Sequence, residues 1–126
     1  NHWYGIGFWD NEEKVLEHWK KFGVQNWVRH FKLTSSDYLN HADRLSDVDL
    51  VYIDGDHSLE GILHDFNGYR KILKPNGLIV AHDVDPALKQ FDPETGGYEA
   101  LMSLERSKFE IFRLPVYPGL ALIRKI

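Results

Sequence analysis

The sequence contains no cysteine among its 126 residues, and this absence excludes several kinds of chemistry. A disulfide framework, a thiolate metal site and a cysteine nucleophile each need the cysteine sulfur, so none of them is open to this chain. The sequence also has no apolar run near the ~20 residues that a membrane helix needs, and no recognisable secretory signal. We therefore expect a cytoplasmic protein with no membrane partner.

Positive charge is in slight deficit. The chain has 15 Lys and Arg residues against 19 Asp and Glu residues, which gives a formal net charge of −4. The basic residues are scattered along the chain, so the basic stripe of a nucleic-acid-binding protein is not expected. The length fits one hydrophobic core, and residues 1–126 are expected to form a single domain.

Short strands and helices alternate along the chain. Apolar patterning predicts strands at His2–Gly7, Trp27–Leu33, Asp49–Asp54, Leu78–Ala81, Phe109–Leu114 and Leu120–Lys125. Helices are predicted at Asn11–Phe22, Ser58–Leu73 and Gly97–Arg106, and a short helix or a turn at Ser36–Ala42. This alternation favours an α/β fold with a doubly wound, mostly parallel sheet. A tight turn joins the last two strands, which makes them an antiparallel C-terminal hairpin at the edge of the sheet.

Acidic and histidine side chains follow two of the predicted strands. Asp54 ends an apolar run whose pattern predicts burial on both faces, and His82 and Asp83 end the next parallel strand. Ligands bind outside the carboxyl ends of the strands in such sheets, and neighbouring strands lie ~5 Å apart. If the two strands are neighbours, the three side chains converge. Carboxylates with one imidazole can bind Mg²⁺, Ca²⁺ or Mn²⁺.

His57 lies three residues beyond Asp54, directly before a predicted helix. An imidazole there can act as a general base toward a substrate hydroxyl, because histidine exchanges protons near neutral pH. A purely structural alternative exists, in which the ring bonds a local backbone group. The acidic residues also have a structural alternative, since Asp83 and Asp85 can cap turns and Asp54 or Asp56 can cap the helix.

Two separated motifs resemble the class I S-adenosylmethionine-dependent methyltransferases. The first is DLVYIDGDHSLEG at residues 49–61, and the second is LKPNGLIVAHDV at residues 73–84. They are most similar to the branch of macrocin O-methyltransferases and cephalosporin hydroxylase-like proteins. Leu59 and Asn76 stand where this branch usually has Tyr and Gly. The closing GLALI at residues 119–123 is similar to the last strand of the family.

The resemblance implies a Rossmann-like sheet of seven strands and the O-methylation of a small-molecule hydroxyl, with S-adenosylmethionine as cofactor. In metal-dependent members, the residues that match Asp54, His82 and Asp83 hold Mg²⁺, which orients the acceptor hydroxyl and lowers its pKa. His82 departs from the acidic residue that is common there. The residue that matches His57 is the catalytic base in related catechol-type enzymes, and Asp54 is expected to serve catalysis beside it.

The resemblance also implies residues that bind the cofactor. Asp10 is the acidic residue nearest to the place where the family binds the ribose hydroxyls, and Asp54 is expected to contribute from its own strand end. Ser35 and Ser36 follow the strand after which the family contacts adenine, although residues 34–37 can also be a simple capping turn. The Gly-rich loop of the family's first strand does not occur. The chain is therefore expected to be a methyltransferase domain truncated at its N-terminus.

Two other functions stay open at this point. A metal-dependent hydrolase is favoured by the density of Asp and His residues at the two strand ends. A non-catalytic, truncated methyltransferase-like module is favoured by the missing loop. The N-terminal aromatic residues are then core exposed by truncation or an interface, so a homo-oligomer is left open. The expected partner is a small-molecule substrate.

Overall fold

The computed structural model describes residues 2–8, 11–42 and 44–126. Its contacts separate two compact units, residues 1–44 and residues 45–126, which we call the N-terminal and the C-terminal unit. A single domain over residues 1–126 stays a prediction. None of the helices in the described part of the chain is long and apolar enough to cross a bilayer.

The N-terminal unit contains a two-stranded parallel sheet and two helices. Its elements are β1 (Trp3–Ile6), α1 (Glu12–Lys21), β2 (Val28–Phe31) and α2 (Ser35–Asn40), with β1 paired to β2. Both helices begin at a side-chain cap. The Asn11 side chain accepts a hydrogen bond from Lys14 N at 3.1 Å, and Thr34 Oγ1 accepts one from Asp37 N at 3.1 Å. Such caps satisfy backbone N–H groups that have no partner within the helix.

The C-terminal unit contains a four-stranded mixed sheet. Its elements are β3 (Val48–Ile53), α3 (Leu59–Tyr69), β4 (Leu73–His82), a short 3₁₀ helix (Pro86–Gln90), α4 (Gly97–Ser103), β5 (Phe109–Leu114) and β6 (Leu120–Lys125). The strand order is β3-β4-β6-β5; β3 and β4 are parallel, and β6 is antiparallel to both of its neighbours. The prediction of an α/β fold with parallel strands and an antiparallel C-terminal hairpin is confirmed.

The hydrophobic core of the C-terminal unit consists of buried side chains from its sheet, from α3 and α4, and from the loop after β4. Its members are Ile53, Phe66, Leu73, Ile79, Ala81, Val84, Leu101, Phe109, Ala121 and Ile123. Phe66 of α3 and Phe109 of β5 meet edge to face with their ring centroids 5.2 Å apart. This core fixes β3 and β4 side by side, and therefore also fixes the loops that follow them.

The predicted burial of β3 on both faces is wrong. Val51 and Ile53 face the core, but Tyr52 on the other face is 53% exposed. Tyr52 stands at one end of a row of apolar residues that crosses the sheet and continues through Val80, Leu122 and Phe112. Phe112, at the other end of the row, is 61% exposed. An unbroken apolar run does not reveal which face packs, because successive side chains of a strand point to opposite faces.

The fourth strand also begins earlier than predicted. Leu73 already pairs with Val48, and the register then shifts before Leu78 pairs with Leu50. Asn76 lies within this irregularity and has a left-handed backbone with φ of 63°. The Pro-Asn-Gly sequence therefore forms a bulge inside β4 instead of a turn before it.

The β5–β6 turn lies at the carboxyl end of β4, because Leu120 pairs with His82. Asp85 N donates a hydrogen bond to Pro118 O at 3.0 Å. Gly119 has a φ of 97°, and a Cβ atom on it would lie 2.5 Å from Asp85 N. The turn is thus attached directly to the chain that follows Asp83.

Candidate active site

The carboxyl ends of β3 and β4 bring Asp54 and His82 together. Ile53 pairs with Ala81, so Asp54 and His82 are the next residues in the same register. His82 Nδ1 lies 3.1 Å from Asp54 Oδ1 and 3.1 Å from Asp83 Oδ1. One imidazole nitrogen therefore contacts two carboxylates at the end of the sheet.

Asp83 is the most buried member of this group, with 8% of its surface exposed. Its backbone is left-handed, with φ of 56°. Asp adopts this conformation more readily than most residues with a Cβ atom, because its short polar side chain can bond locally. His57 Nε2 lies 3.1 Å from Asp83 Oδ2. The two imidazoles of His57 and His82 thus provide the partners that a buried carboxylate requires.

The backbone around His57 is held by two hydrogen bonds. Asp56 Oδ1 accepts one from Ser58 N at 2.9 Å, and Ser58 Oγ accepts one from Gly61 N at 3.1 Å as the N-cap of α3. These bonds from Ser58 hold the pKa of the Asp56 carboxyl below its usual range. A Cβ atom at Gly61 would lie 2.6 Å from Asp56 Cβ, so glycine leaves room for the Asp56 side chain. Asp56 therefore forms a turn just before α3, and the residue that caps the helix is Ser58 and not Asp54 or Asp56.

Tyr52 is a residue of this site that the sequence analysis did not single out. Partial removal of its hydroxyl from water raises its pKa, and the Asp54 charge, a hydrogen bond to Asp54 and the Asp83 charge raise it further. Its ring also lies 6.3 Å from the His82 ring between centroids. Tyr52 is therefore a neutral hydrogen-bond donor beside Asp54. Its position two residues before Asp54, on the same face of β3, is the signal that could have indicated it.

Three side chains of the site can supply ligands to one cation. Ligand atoms of Asp54, His57 and Asp83 all lie within 4.8 Å of one another. This set contains both carboxylates of the predicted metal site, but its histidine is His57. His82 Nδ1 lies between the same two carboxylates, and its role as a ligand stays a prediction. The donor set of two carboxylates and an imidazole fits a divalent cation such as Mg²⁺ or Mn²⁺.

The residues expected to bind the cofactor fall in different places. Asp10 lies outside the described residues. Ser35 and Ser36 begin α2 in the N-terminal unit, where Thr34 and Asp37 form the capping turn that was the structural alternative. Contact of the two serines with adenine stays a prediction.

The loop before α4 also reaches the site, through Gly96, which the sequence analysis did not single out. Gly96 N donates a hydrogen bond to His57 O at 2.8 Å, and Ser58 and Thr95 form an antiparallel bridge. Consecutive glycines at the start of a helix were the available signal. Asp85, by contrast, caps the 3₁₀ helix, because Asp85 Oδ1 accepts a hydrogen bond from Ala87 N at 2.8 Å. This is the turn-capping role that was its structural alternative.

Parallel strands that end in acidic and histidine side chains, with an antiparallel hairpin beside them, are features of a class I methyltransferase fold. A family model described as a methyltransferase domain matches residues 1–84 of the 126 residues, and the chain belongs to this family. The resemblance to class I S-adenosylmethionine-dependent methyltransferases is thereby confirmed. No curated protein matches the chain in sequence.

Solved structures share this fold at low sequence identity. Cofactor-bound Rv0187 from MTB has a TM-score of 0.81 at 17% identity. The O-methyltransferase TomG from Streptomyces achromogenes, involved in tomaymycin synthesis and solved with S-adenosylmethionine, has a TM-score of 0.77 at 19% identity. Each match covers 99% of this chain and 62% of the other chain. The chain thus spans about three fifths of the length of the structures it matches.

Proposed function

We propose that this chain acts in the S-adenosylmethionine-dependent methylation of a small-molecule hydroxyl. The proposal is supported by a cluster of polar side chains at the carboxyl ends of two neighbouring parallel strands, which consists of Asp54, His57, His82 and Asp83. The chain that carries this cluster belongs to the methyltransferase family. Ligands of open α/β sheets bind at this edge. The alternatives of a hydrolase and of a non-catalytic module receive no support from the comparisons.

In this proposal His57 is the general base. S-adenosylmethionine would supply the methyl group of its sulfonium and leave as S-adenosylhomocysteine, and the His57 imidazole would take up the proton of the acceptor hydroxyl. When Nε2 carries a proton, it donates to Asp83 Oδ2 at 3.1 Å, and Nδ1 becomes the proton acceptor. Asp83 therefore orients the ring and stabilises the imidazolium once the proton has arrived.

A divalent cation is a finer part of the proposal. Asp54 and Asp83 would hold Mg²⁺ with His82, as the family resemblance implies, because a His57 bound to the cation could not serve as the base. Bound there, the cation would supply a positive charge that lowers the pKa of the acceptor hydroxyl. With His82 as the ligand, His57 is left to act as the base.

The acceptor would contact the loops at the same edge of the sheet. Phe91 follows the 3₁₀ helix and is 74% exposed, and its ring meets the 59% exposed Tyr117 ring with centroids 6.3 Å apart. Tyr117 belongs to the turn that adjoins His82 through the β4–β6 pairing. Small-molecule sites are lined mainly by apolar and aromatic side chains with a few polar groups, and this pair would supply aromatic contacts to a small-molecule acceptor.

Calorimetric titration of the full-length protein with S-adenosylmethionine tests the proposal. We expect saturable binding of one cofactor per chain, and no binding at millimolar cofactor would overturn the methyltransferase assignment. A parallel titration of the Ser35→Ala, Ser36→Ala double variant tests the adenine contact. Weaker binding is expected there, and unchanged binding would assign the two serines to the capping turn alone.

A further inference from the structure

The segment from Thr95 to Gly97 contacts both of the loops that carry the candidate catalytic residues. Thr95 bridges Ser58, and Gly96 N donates to His57 O at 2.8 Å. Gly97, the first residue of α4, lies against the backbone of Asp83. Three consecutive residues therefore touch the loop after β3 and the loop after β4.

Gly96 is required by close packing and not by its backbone angles. Its φ is −118°, which residues with side chains also adopt. A Cβ atom at this position, however, would overlap the backbone N and Cα of Leu59. These atoms belong to the first turn of α3, where the N-cap bond from Gly61 N to Ser58 Oγ fixes the chain. A larger residue at position 96 would therefore push the segment away from His57.

Gly97 makes the corresponding approach to the other loop. A Cβ atom there would overlap Asp83 O and lie 3.0 Å from Asp83 C. Asp83 has little room to move in response, because it is buried and its left-handed backbone is already uncommon for a residue with a side chain. A larger residue at position 97 would therefore displace Asp83 itself.

The contact between His57 Nε2 and Asp83 Oδ2 at 3.1 Å joins these same two loops. We propose that the Gly96–Gly97 pair is a positioning element that sets the separation of His57 and Asp83. The pair packs between the two backbones and thereby holds the imidazole and the carboxylate at contact distance. The importance of this separation for catalysis rests on the proposed function, whereas the effect of the glycine pair on the separation itself does not.

Alanine substitution of each glycine tests this proposal. Gly77→Ala is the matched control, because a Cβ atom there would also be crowded, at 3.0 Å from Lys74 O and 3.2 Å from Val48 O, but at the opposite end of β3 and β4. Mn²⁺ affinity is measured by electron paramagnetic resonance, and the His57–Asp83 separation by crystallography. We expect Gly96→Ala and Gly97→Ala to weaken Mn²⁺ binding by about 10- to 100-fold, as changes around metal ligands do.

Gly77→Ala is expected to lower the unfolding temperature while leaving Mn²⁺ affinity within about twofold of the wild-type value, because its effect is confined to folding. If the glycine variants keep both the wild-type affinity and the wild-type His57–Asp83 separation, the positioning role is wrong. If the wild-type protein binds no Mn²⁺, the metal part of the proposed function fails. The positioning role is then decided by the separation alone.

Because alanine at either position can prevent folding, the proposal is also tested with a second kind of variant that adds no side chain. Replacing the backbone amide of Gly96 by an ester removes the N–H that donates to His57 O without adding a side chain. One hydrogen bond is then lost, and we expect Mn²⁺ binding to weaken about fivefold. An ester variant that has wild-type affinity and an unmoved His57 would overturn the contribution of Gly96.

Discussion

Asp83 is a buried carboxylate whose two oxygens contact different imidazoles, His82 at Oδ1 and His57 at Oδ2. Breaking a buried pair costs more than the pair contributes, because the remaining charge is left without compensation. This residue therefore couples the two histidines, and a change at one histidine alters the surroundings of the other. The separate roles of His57 and His82 have to be tested one at a time.

Replacement of His57 by glutamine tests the general base. We expect His57→Gln to lower kcat by about 10²- to 10⁴-fold, because a positioned base contributes that much. Affinity for S-adenosylmethionine should not change. Methyl transfer by the full-length protein is the measurement, and His64→Gln, an exposed histidine of α3, is the matched control. Full activity of His57→Gln would remove His57 from the mechanism.

Ionisation of Tyr52 reports on the charge of Asp54. The raised pKa of Tyr52 means that the folded protein favours the neutral phenol. The contribution of the neutral phenol to the free energy of unfolding is complete below the ordinary tyrosine pKa of about 10. It is lost as the pH rises through the raised pKa of the folded protein. In the metal-free protein, Asp54→Asn should lower the Tyr52 pKa without restoring its usual value, since partial burial remains. The titration of Tyr52 is followed by absorbance, and its signal is isolated by subtracting the titration of the matching protein that carries Tyr52→Phe.

The control for this titration is Asp49→Asn. Asp49 also belongs to β3 but pairs with Lys74 near its amino end. An identical Tyr52 titration in Asp54→Asn and wild type would contradict the contact between Tyr52 and Asp54.

The sequence was sufficient to predict that Asp54, His82 and Asp83 lie together, because parallel strands place their carboxyl ends at one edge. A spacing of two residues from Asp54 places Tyr52 on the same face of the strand, but does not show that the Tyr52 hydroxyl reaches the Asp54 carboxylate. The role of the Gly96–Gly97 pair depends on how closely two segments approach in three dimensions. Glycines near a helix start usually indicate only a turn.

At the scale of single elements, the cap of α3 links folding to the site. Ser58 follows His57 directly and supplies the oxygen that accepts Gly61 N. Loss of an N-cap costs about 1 kcal/mol, so Ser58→Ala should lower the free energy of unfolding by about that amount. Urea unfolding followed by circular dichroism measures it. Ser107→Ala, an exposed serine outside the helices, should have little effect, and equal stability of the two variants would contradict the cap.

Elements with clear local signals were predicted well. The structure has β5 and β6 at the predicted Phe109–Leu114 and Leu120–Lys125, and α1 begins one residue after its predicted start at Asn11, which caps it. The 3₁₀ helix at Pro86–Gln90 was not foreseen, because it lies in a polar loop without helical periodicity. The start of β4 was missed for a related reason, since Pro and Gly there indicate a turn equally well.

At the scale of the whole chain, sequence alone could not show the division into two units. The resemblance implied one sheet of seven strands, whereas six strands in two sheets are found among residues 2–8, 11–42 and 44–126. Each unit contains its own parallel strand pair, β1 with β2 and β3 with β4. Alternating elements predict that parallel pairs form, but not which pairs share a sheet.

The attachment of the β5–β6 turn to Asp85 has a practical consequence for engineering. Surface turns normally accept inserted residues, epitopes or labels. At residues 115–119 an insertion would move Pro118 O and Gly119 away from Asp85, two residues from Asp83, and so alter the chemistry at the end of β4. The exposed turn formed by Gln25 and Asn26 in the N-terminal unit is the better grafting point, because neither residue is buried.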